Sequence, residues 1–204
     1  MLPQLPHVIC LTEHHSKEQE IENLSIDQYT LGTKFCRQRL KHGGTGIFVH
    51  ESLAFTNTDL QIFCIEQDIE TYAVKLNLQS TMIYIICIYR APTGNFVHFM
   101  KGLDYILNQF SKANSDIIVC GDINVDYLDV NCYKRQQLDA LLATFNLVST
   151  VHFSTRSLNG SSSAIDNIFI DRTHKGKYTV YPLINGLSDH DGQIIKLDNI
   201  SMQT

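Results

Sequence analysis

The residues best suited to chemistry in this 204-residue chain are acidic and amide side chains that follow apolar runs. Asp122 and Asn124 come just after Cys120-Gly121 and the β-branched run Ile117-Ile118-Val119, which fits a strand buried on both faces. Gly121 reads as the end of that strand, with Asp122 and Asn124 sharing a face wherever the backbone stays extended. Glu13 follows the strand-like His7–Leu11, Asp166 sits inside Ala164–Ile170, and Asp189 with His190 precedes Gln193–Leu197. Strand ends at one edge of a sheet can converge in space. A pocket holding Glu13, Asp122, Asn124, Asp166 and His190 offers oxygen donors for a hard divalent cation such as Mg²⁺ and a histidine that an aspartate can orient. Such a set suits phosphoester hydrolysis, where a cation offsets phosphate charge and a carboxylate positions or deprotonates water.

Plainer readings exist for most of these residues. An Asp-x-Asn pair readily caps its own turn. Ser188-Asp189 fits a turn or cap, and Glu13 fits a surface position. Asp166 is harder to set aside, because an ionised group inside an apolar strand is costly unless paired. His14, His15, His42 and His50 show neither HExxH nor a Cys/His zinc spacing, so no metal is assigned to them.

The elements that must position these residues follow from periodicity. Residues 16–40 are polar and irregular and read as a short helix and loop. Gly43-Gly44-Thr45-Gly46 is neither GxGxxG nor a P-loop; with a strand after it, it reads as a tight turn rather than a phosphate cradle. Thr71–Leu78 alternates as a half-buried strand, Thr81–Tyr89 is a central strand, and only Gln79 and Ser80 separate them, as in a hairpin. Phe96, Phe99, Met100, Leu103, Ile106, Leu107 and Phe110 recur at helical spacing, and a second helix spans about Cys132–Phe145. Short strands near Leu147–Val148 and Tyr178–Tyr181 and a polar loop over 153–163 complete the reading. Many strands, hairpins and few helices suit a layered α/β sandwich better than a doubly wound sheet.

Composition narrows the function classes. The chain is 44% hydrophobic, enough for one core, placed here at 1–199 with a tail at 200–204. Its longest apolar run, Met82–Tyr89, is too short to span a bilayer, and no membrane role is expected. Six cysteines occur without a CxxC pair; Cys10, Cys64, Cys87 and Cys120 lie in apolar runs and read as reduced core thiols. With no signal-peptide pattern over Met1–His7, the expected compartment is nuclear or cytoplasmic. A net charge of -5 argues against a passive nucleic-acid coat and less against an enzyme whose carboxylates hold cations.

Thr12-Glu13-His14, Gly43-Gly44-Thr45-Gly46, Tyr89-Arg90-Ala91-Pro92, Gly121-Asp122-Ile123-Asn124, Ser163-Ala164-Ile165-Asp166 and Ser188-Asp189-His190 occur in one order along the chain. That ordered set resembles the endonuclease/exonuclease/phosphatase superfamily, most closely the apurinic-type endonuclease domain of non-LTR retrotransposons. The resemblance implies a four-layer α/β sandwich of two packed mixed sheets with helices outside. It implies Glu13 and Asp189 at Mg²⁺, with Mn²⁺ as a substitute, and Asp122 and Asn124 on the attacking water. His190 would stabilise the scissile phosphate, Asp166 would hydrogen-bond that histidine, and Tyr89 would contact the phosphate. Arg90, Thr155 and Ser188 would support phosphate positioning. Arg37, Arg39, Lys41 and Arg156, in the 33–44 and 153–163 segments, are candidates for contacts to double-stranded DNA. The implied product is a nick with a 3′-hydroxyl that primes reverse transcription by a reverse transcriptase module of a longer parent protein. The family's first strand carries an Asn near the metal, whereas here Glu13 arrives almost at once, so the resemblance implies an N-terminally truncated version. Two alternatives stand beside a Mg²⁺-dependent DNA-nicking endonuclease: a catalytically inactive remnant, and a phosphatase or lipid phosphodiesterase of the same superfamily.

Overall fold

Apolar runs that alternate between two cores build the centre of the protein. A computed structural model describes residues 5–78, 81–111, 115–158, 160–174, 177–184, 186 and 188–198; the expected 79–80 connection, residue 187 and the 200–204 tail lie outside these. In chain order the elements are β1 (Val8–Thr12), α1 (Glu18–Glu22), β2 (Tyr29–Phe35), β3 (Thr45–His50), β4 (Phe55–Thr58), β5 (Glu70–Asn77), β6 (Met82–Tyr89) and α2 (Phe96–Phe110). Then come β7 (Asp116–Asp122), α3 (Tyr133–Thr144), β8 (Leu147–Ser149), β9 (Arg156–Leu158), β10 (Ser161–Ser163), β11 (Asp166–Asp171), β12 (Tyr178–Leu183) and β13 (Gly192–Leu197).

Six strands form one mixed sheet in the order β4-β5-β6-β7-β11-β8, with β6 and β7 parallel and the other pairs antiparallel. The parallel pair needs a crossover, and α2 supplies it. Asn95 starts that helix by accepting from the amides of Val97 and His98, and its buried stripe is Phe99, Leu103, Ile106, Leu107 and Phe110. These side chains and Leu138 and Leu142 of α3 pack on Ile86, Ile88, Ile117, Val119 and Phe169. Each such fully buried side chain contributes roughly 1.5–3 kcal/mol relative to exposure.

The other face of the same sheet carries Ile83, Ile85, Cys87, Ile118, Ile168 and Ile170. Over it lie the antiparallel sheet β1-β3-β2, through Ile47 and Val49, and the separate pair β12-β13. The short α1 closes the outer side of β3, where its Ile21 is fully buried and lies beside Gly46. The layers are therefore α2 and α3, the six-stranded sheet, the two smaller sheets, and α1. This is the expected α/β sandwich, with a second strand layer that is antiparallel and in two pieces. Among the described residues, β1 pairs on one side only, with β3, and β13 pairs only with β12.

Four readings of the sequence need correction here. The 16–40 segment contains a strand, β2, because Tyr29, Leu31 and Phe35 alternate through a polar stretch and pair with β3 across a bulge between Leu31 and Thr33. The 153–163 segment is not all loop: β9 and β10 pair in it, with Ser161 opposite Leu158. β5 is buried on both faces in its first half, since Ala73 and Val74 are both 0% exposed. Finally, β7 runs through Gly121 to Asp122. Gly121 sits at φ 141, where a Cβ would lie 2.0 Å from the Ile88 carbonyl oxygen, so this glycine permits close approach of β6 rather than ending the strand.

Candidate active site

Alternation along the strands decides which polar residues meet. On β6, β7 and β11 the positions facing the smaller sheets are Ile83, Ile85 and Cys87, then Ile118, then Ile168 and Ile170. Continuing the same period of two places Tyr89, Asp122 and Asp166 on that face, where the apolar layer stops. Asp122 and Asp166 are direct partners in the antiparallel ladder and are 2% and 6% exposed. Two buried carboxylates opposite one another repel. Burial and then the charge of Asp166 push the Asp122 carboxyl up to about 8.

The opposing groups come from loops. Glu13 leaves β1 with a left-handed φ of 52, and its amide donates to the Gly44 carbonyl at 2.9 Å. The Tyr89 hydroxyl donates to the Glu13 carboxylate, and burial followed by that hydrogen bond raises the phenol's pKa. His190 Nδ1 lies 3.0 Å from Asp166 Oδ2, and the same oxygen accepts from the Thr155 hydroxyl at 2.7 Å. The hydrogen bond to Asp166 raises the His190 pKa against the opposing effect of burial. Donor atoms of Glu13, Asp122 and His190 lie within 4.8 Å of one another, the one such group among the described residues.

Asp122 Oδ1 accepts the Asn124 amide at 3.0 Å, and a carboxylate oxygen of Asp122 belongs to the three-residue group. Asn124 has φ 49, so the extended backbone expected past Asp122 stops there; the amide Nδ2 instead turns back to the Arg90 carbonyl at 2.8 Å. This donor set suits a divalent cation. It combines two carboxylates and an imidazole, and the crowded Asp122–Asp166 pair carries negative charge that a cation would offset.

Residues 83–194, a little over half of the chain, match the family described as endonuclease-reverse transcriptase. The chain belongs to that family. Its fold is similar to the endonuclease domain of TRAS1, a telomere-specific non-LTR retrotransposon, with a TM-score of 0.72 and 12% identity over 94% of this chain and 85% of that one. A Neisseria 3′ phosphatase, NExo, bound to a product DNA hairpin gives a TM-score of 0.65 at 13% identity, covering 96% and 90% of the two chains. The D. rerio protein TDP2 in complex with a single-stranded DNA product gives 0.58 at 15% identity, covering 92% and 84%. No curated protein matches the chain. The family and these folds place the chain in the endonuclease/exonuclease/phosphatase superfamily, whose members are phosphodiester hydrolases.

Against that family background, several residues sit differently from expectation. Arg90 is 0% exposed, and its guanidinium donates to the carbonyls of Ile123, Ala91, Gly94 and Asn124, so it braces the Asp122–Asn124 turn and has no face for phosphate. Thr155, also 0% exposed, spends its hydroxyl on Asp166 and accepts from the amides of Ile165 and Asp166. Asp189 lies outside the three-residue group; its carboxylate accepts from Arg156 Nε at 2.7 Å, and that contact holds its pKa low. Arg156 is thereby committed to a side-chain partner. Ser188 is exposed and exchanges hydrogen bonds with the backbone of His190. Arg37 is buried against Glu70 and does not face solvent, a pairing across 33 residues that no local pattern signals.

Proposed function

We propose that this chain is a Mg²⁺-dependent DNA-nicking endonuclease domain of retrotransposon origin. The observation that carries the reading is the convergence of Glu13, Asp122 and His190 within 4.8 Å, with Asp166 hydrogen-bonded to the histidine. Glu13 and Asp122 would hold Mg²⁺, with Mn²⁺ as a substitute. When bound, the cation supplies charge compensation for the phosphate and favours the ionised form of nearby water. Asp122, in its ionised form, takes the proton from a water that Asn124 helps to hold. The water oxygen bonds to phosphorus while the bond to the 3′-oxygen breaks, and the departing 3′-oxygen takes up a proton from solvent, leaving a 3′-hydroxyl and a 5′-phosphate. His190, whose hydrogen bond to Asp166 favours its protonated form, would stabilise the negative charge that grows on the phosphate oxygens. Tyr89 keeps Glu13 in place through its hydroxyl. Arg39 and Lys41 remain the candidates for double-stranded DNA backbone contacts, since Arg37 and Arg156 have carboxylate partners.

The domain covers 1–199 in this reading, and a reverse transcriptase module would act on the nick. No helix among the described residues is long and apolar enough to cross a membrane. The free cysteines support a reducing compartment, and we assign the protein to the nucleus or cytoplasm on that ground. The test is nicking of supercoiled plasmid with Mg²⁺ by the wild type, Asp122→Asn and His190→Ala. The expected loss in each variant is roughly 10²–10⁴-fold. Equal nicking by all three proteins would sink the proposal. Hydrolysis of a small phosphoester without nicking would move the chain to the phosphatase reading, and no turnover of either substrate to the inactive remnant.

A further inference from the structure

Arg37 is a buried charge that the hydrolytic scheme leaves without a task. Its side chain is 5% exposed, and Nε donates to Glu70 Oε1 at 2.5 Å, with the Glu70 side chain 0% exposed. Nη1 donates to the Lys41 carbonyl at 3.0 Å, while Nη2 is buried with no hydrogen-bond partner among the described residues. Hydrogen bonding alone therefore does not explain where the guanidinium sits. What it does meet is an aromatic face: Cζ lies 5.7 Å from the centroid of the Tyr89 ring. Gly43, at φ 78, makes the room, since a Cβ there would fall 2.4 Å from Arg37 Cζ.

The loop that carries Arg37 is tied to the site from a second direction. Glu70 Oε2 accepts the Gly44 amide at 2.7 Å, and the carbonyls of Gly44 and Gly43 accept the amides of Glu13 and His15, each at 2.9 Å. Glu70, Arg37, Tyr89 and Glu13 thus form one run of contacts from the interior to the candidate metal group. A buried ion pair is a poor stabilising device, because desolvation offsets its attraction. A guanidinium over a ring face, however, offers that ring a planar partner that an ammonium does not.

We propose that Arg37 is a positioning residue: anchored by Glu70, it holds the Tyr89 ring so that the phenol stays hydrogen-bonded to Glu13. The inference rests on the phosphodiesterase reading for the importance of Glu13, and its test separates the two. Arg37→Lys and the neutral pair Arg37→Met/Glu70→Gln are prepared with Tyr89 present and with Tyr89→Phe. Mn²⁺ affinity is read by electron paramagnetic resonance of the free ion. The Tyr89 environment is read by NMR of protein labelled with ¹³C at tyrosine Cζ, the resonance being assigned by its loss in Tyr89→Phe.

With Tyr89 present, both changes weaken Mn²⁺ binding by about fivefold; with phenylalanine they add less than about twofold, as coupling through one contact requires. The Tyr89 Cζ resonance moves while the other tyrosines keep theirs. An unmoved Tyr89 resonance, or equal weakening in both backgrounds, overturns the proposal. A wild type that binds no Mn²⁺ overturns the metal reading instead, and the Tyr89 resonance still decides the role of Arg37. Should the paired variant not fold, Arg37→Lys, which keeps the charge and loses the planar face, carries the test.

Discussion

Tyr89, Asp122 and Asp166 stand at the ends of strands buried on both faces, whereas Glu13 and His190 come from backbone that has left its strands. The first wall is held by ladder hydrogen bonds and by apolar packing above and below. The second is held by side chains gripping backbone and by backbone gripping turns, with Glu13 at φ 52 and Asn124 at φ 49 at the seam. The strand wall can hold two carboxyl groups directly opposite one another, as Asp122 and Asp166 show. The loop wall supplies what answers those charges, a histidine and a tyrosine-bound glutamate. The division implies that damage to the strand wall should appear as lost stability, and damage to the loop wall as lost alignment.

The largest expected effect tests the brace behind the strand wall. Arg90→Met keeps the stem but leaves the buried carbonyls of Ala91, Gly94 and Ile123 and the partly buried one of Asn124 without the guanidinium donors. A loss of about 3 kcal/mol or more in urea unfolding is expected. A loss below about 1 kcal/mol would mean that the ladder alone holds the wall. Thr155→Val is the intermediate case. It preserves shape, removes one donor from Asp166 and one acceptor from the amides of Ile165 and Asp166, and should cost about 1–3 kcal/mol. Since Asp166 also orients His190, nicking should fall further than stability does. Nicking that tracks the folded fraction alone would show that Thr155 serves only the core.

The strand wall was the legible part. The apolar runs of β6, β7 and β11 announced buried strands, and an aspartate interrupting such a run announced a site. The helix α2 was readable from its stripe almost to the residue. The loop wall was legible only as residue types. That Asp189 turns to Arg156, that Arg90 and Thr155 face inward, and that Arg37 finds Glu70 are facts of tertiary packing at separations of 11 to 34 residues. Local pattern has no handle on such distances. The β9-β10 hairpin did carry a signal, the Asn159-Gly160 dipeptide between its strands. β2 was hidden because the polar Thr33 interrupts the apolar series Tyr29, Leu31 and Phe35 and its burial depends on β3.

The smallest expected effect belongs wholly to the loop wall and separates it from the strands by pH. Glu66 accepts the amides of Gln38, Arg39 and Leu40, at 2.6, 3.0 and 2.9 Å. Burial opposes ionisation of this carboxyl, but those amides and the charge of Arg37 outweigh it, so its pKa lies below 4.5. A depressed carboxylate pKa contributes stability at pH values above the unfolded pKa, and that contribution is lost as pH falls through the folded value. For a partly solvated group the contribution is below about 1 kcal/mol. Hydrogen-exchange protection factors of Gln38, Arg39 and Leu40 should therefore decline as pH drops below 4.5, while those of β7 and β11 hold. In Glu66→Gln the three amides should be less protected throughout and should lose this pH dependence. If the β7 and β11 amides fade over the same window, the two walls melt together and the division drawn between them does not hold.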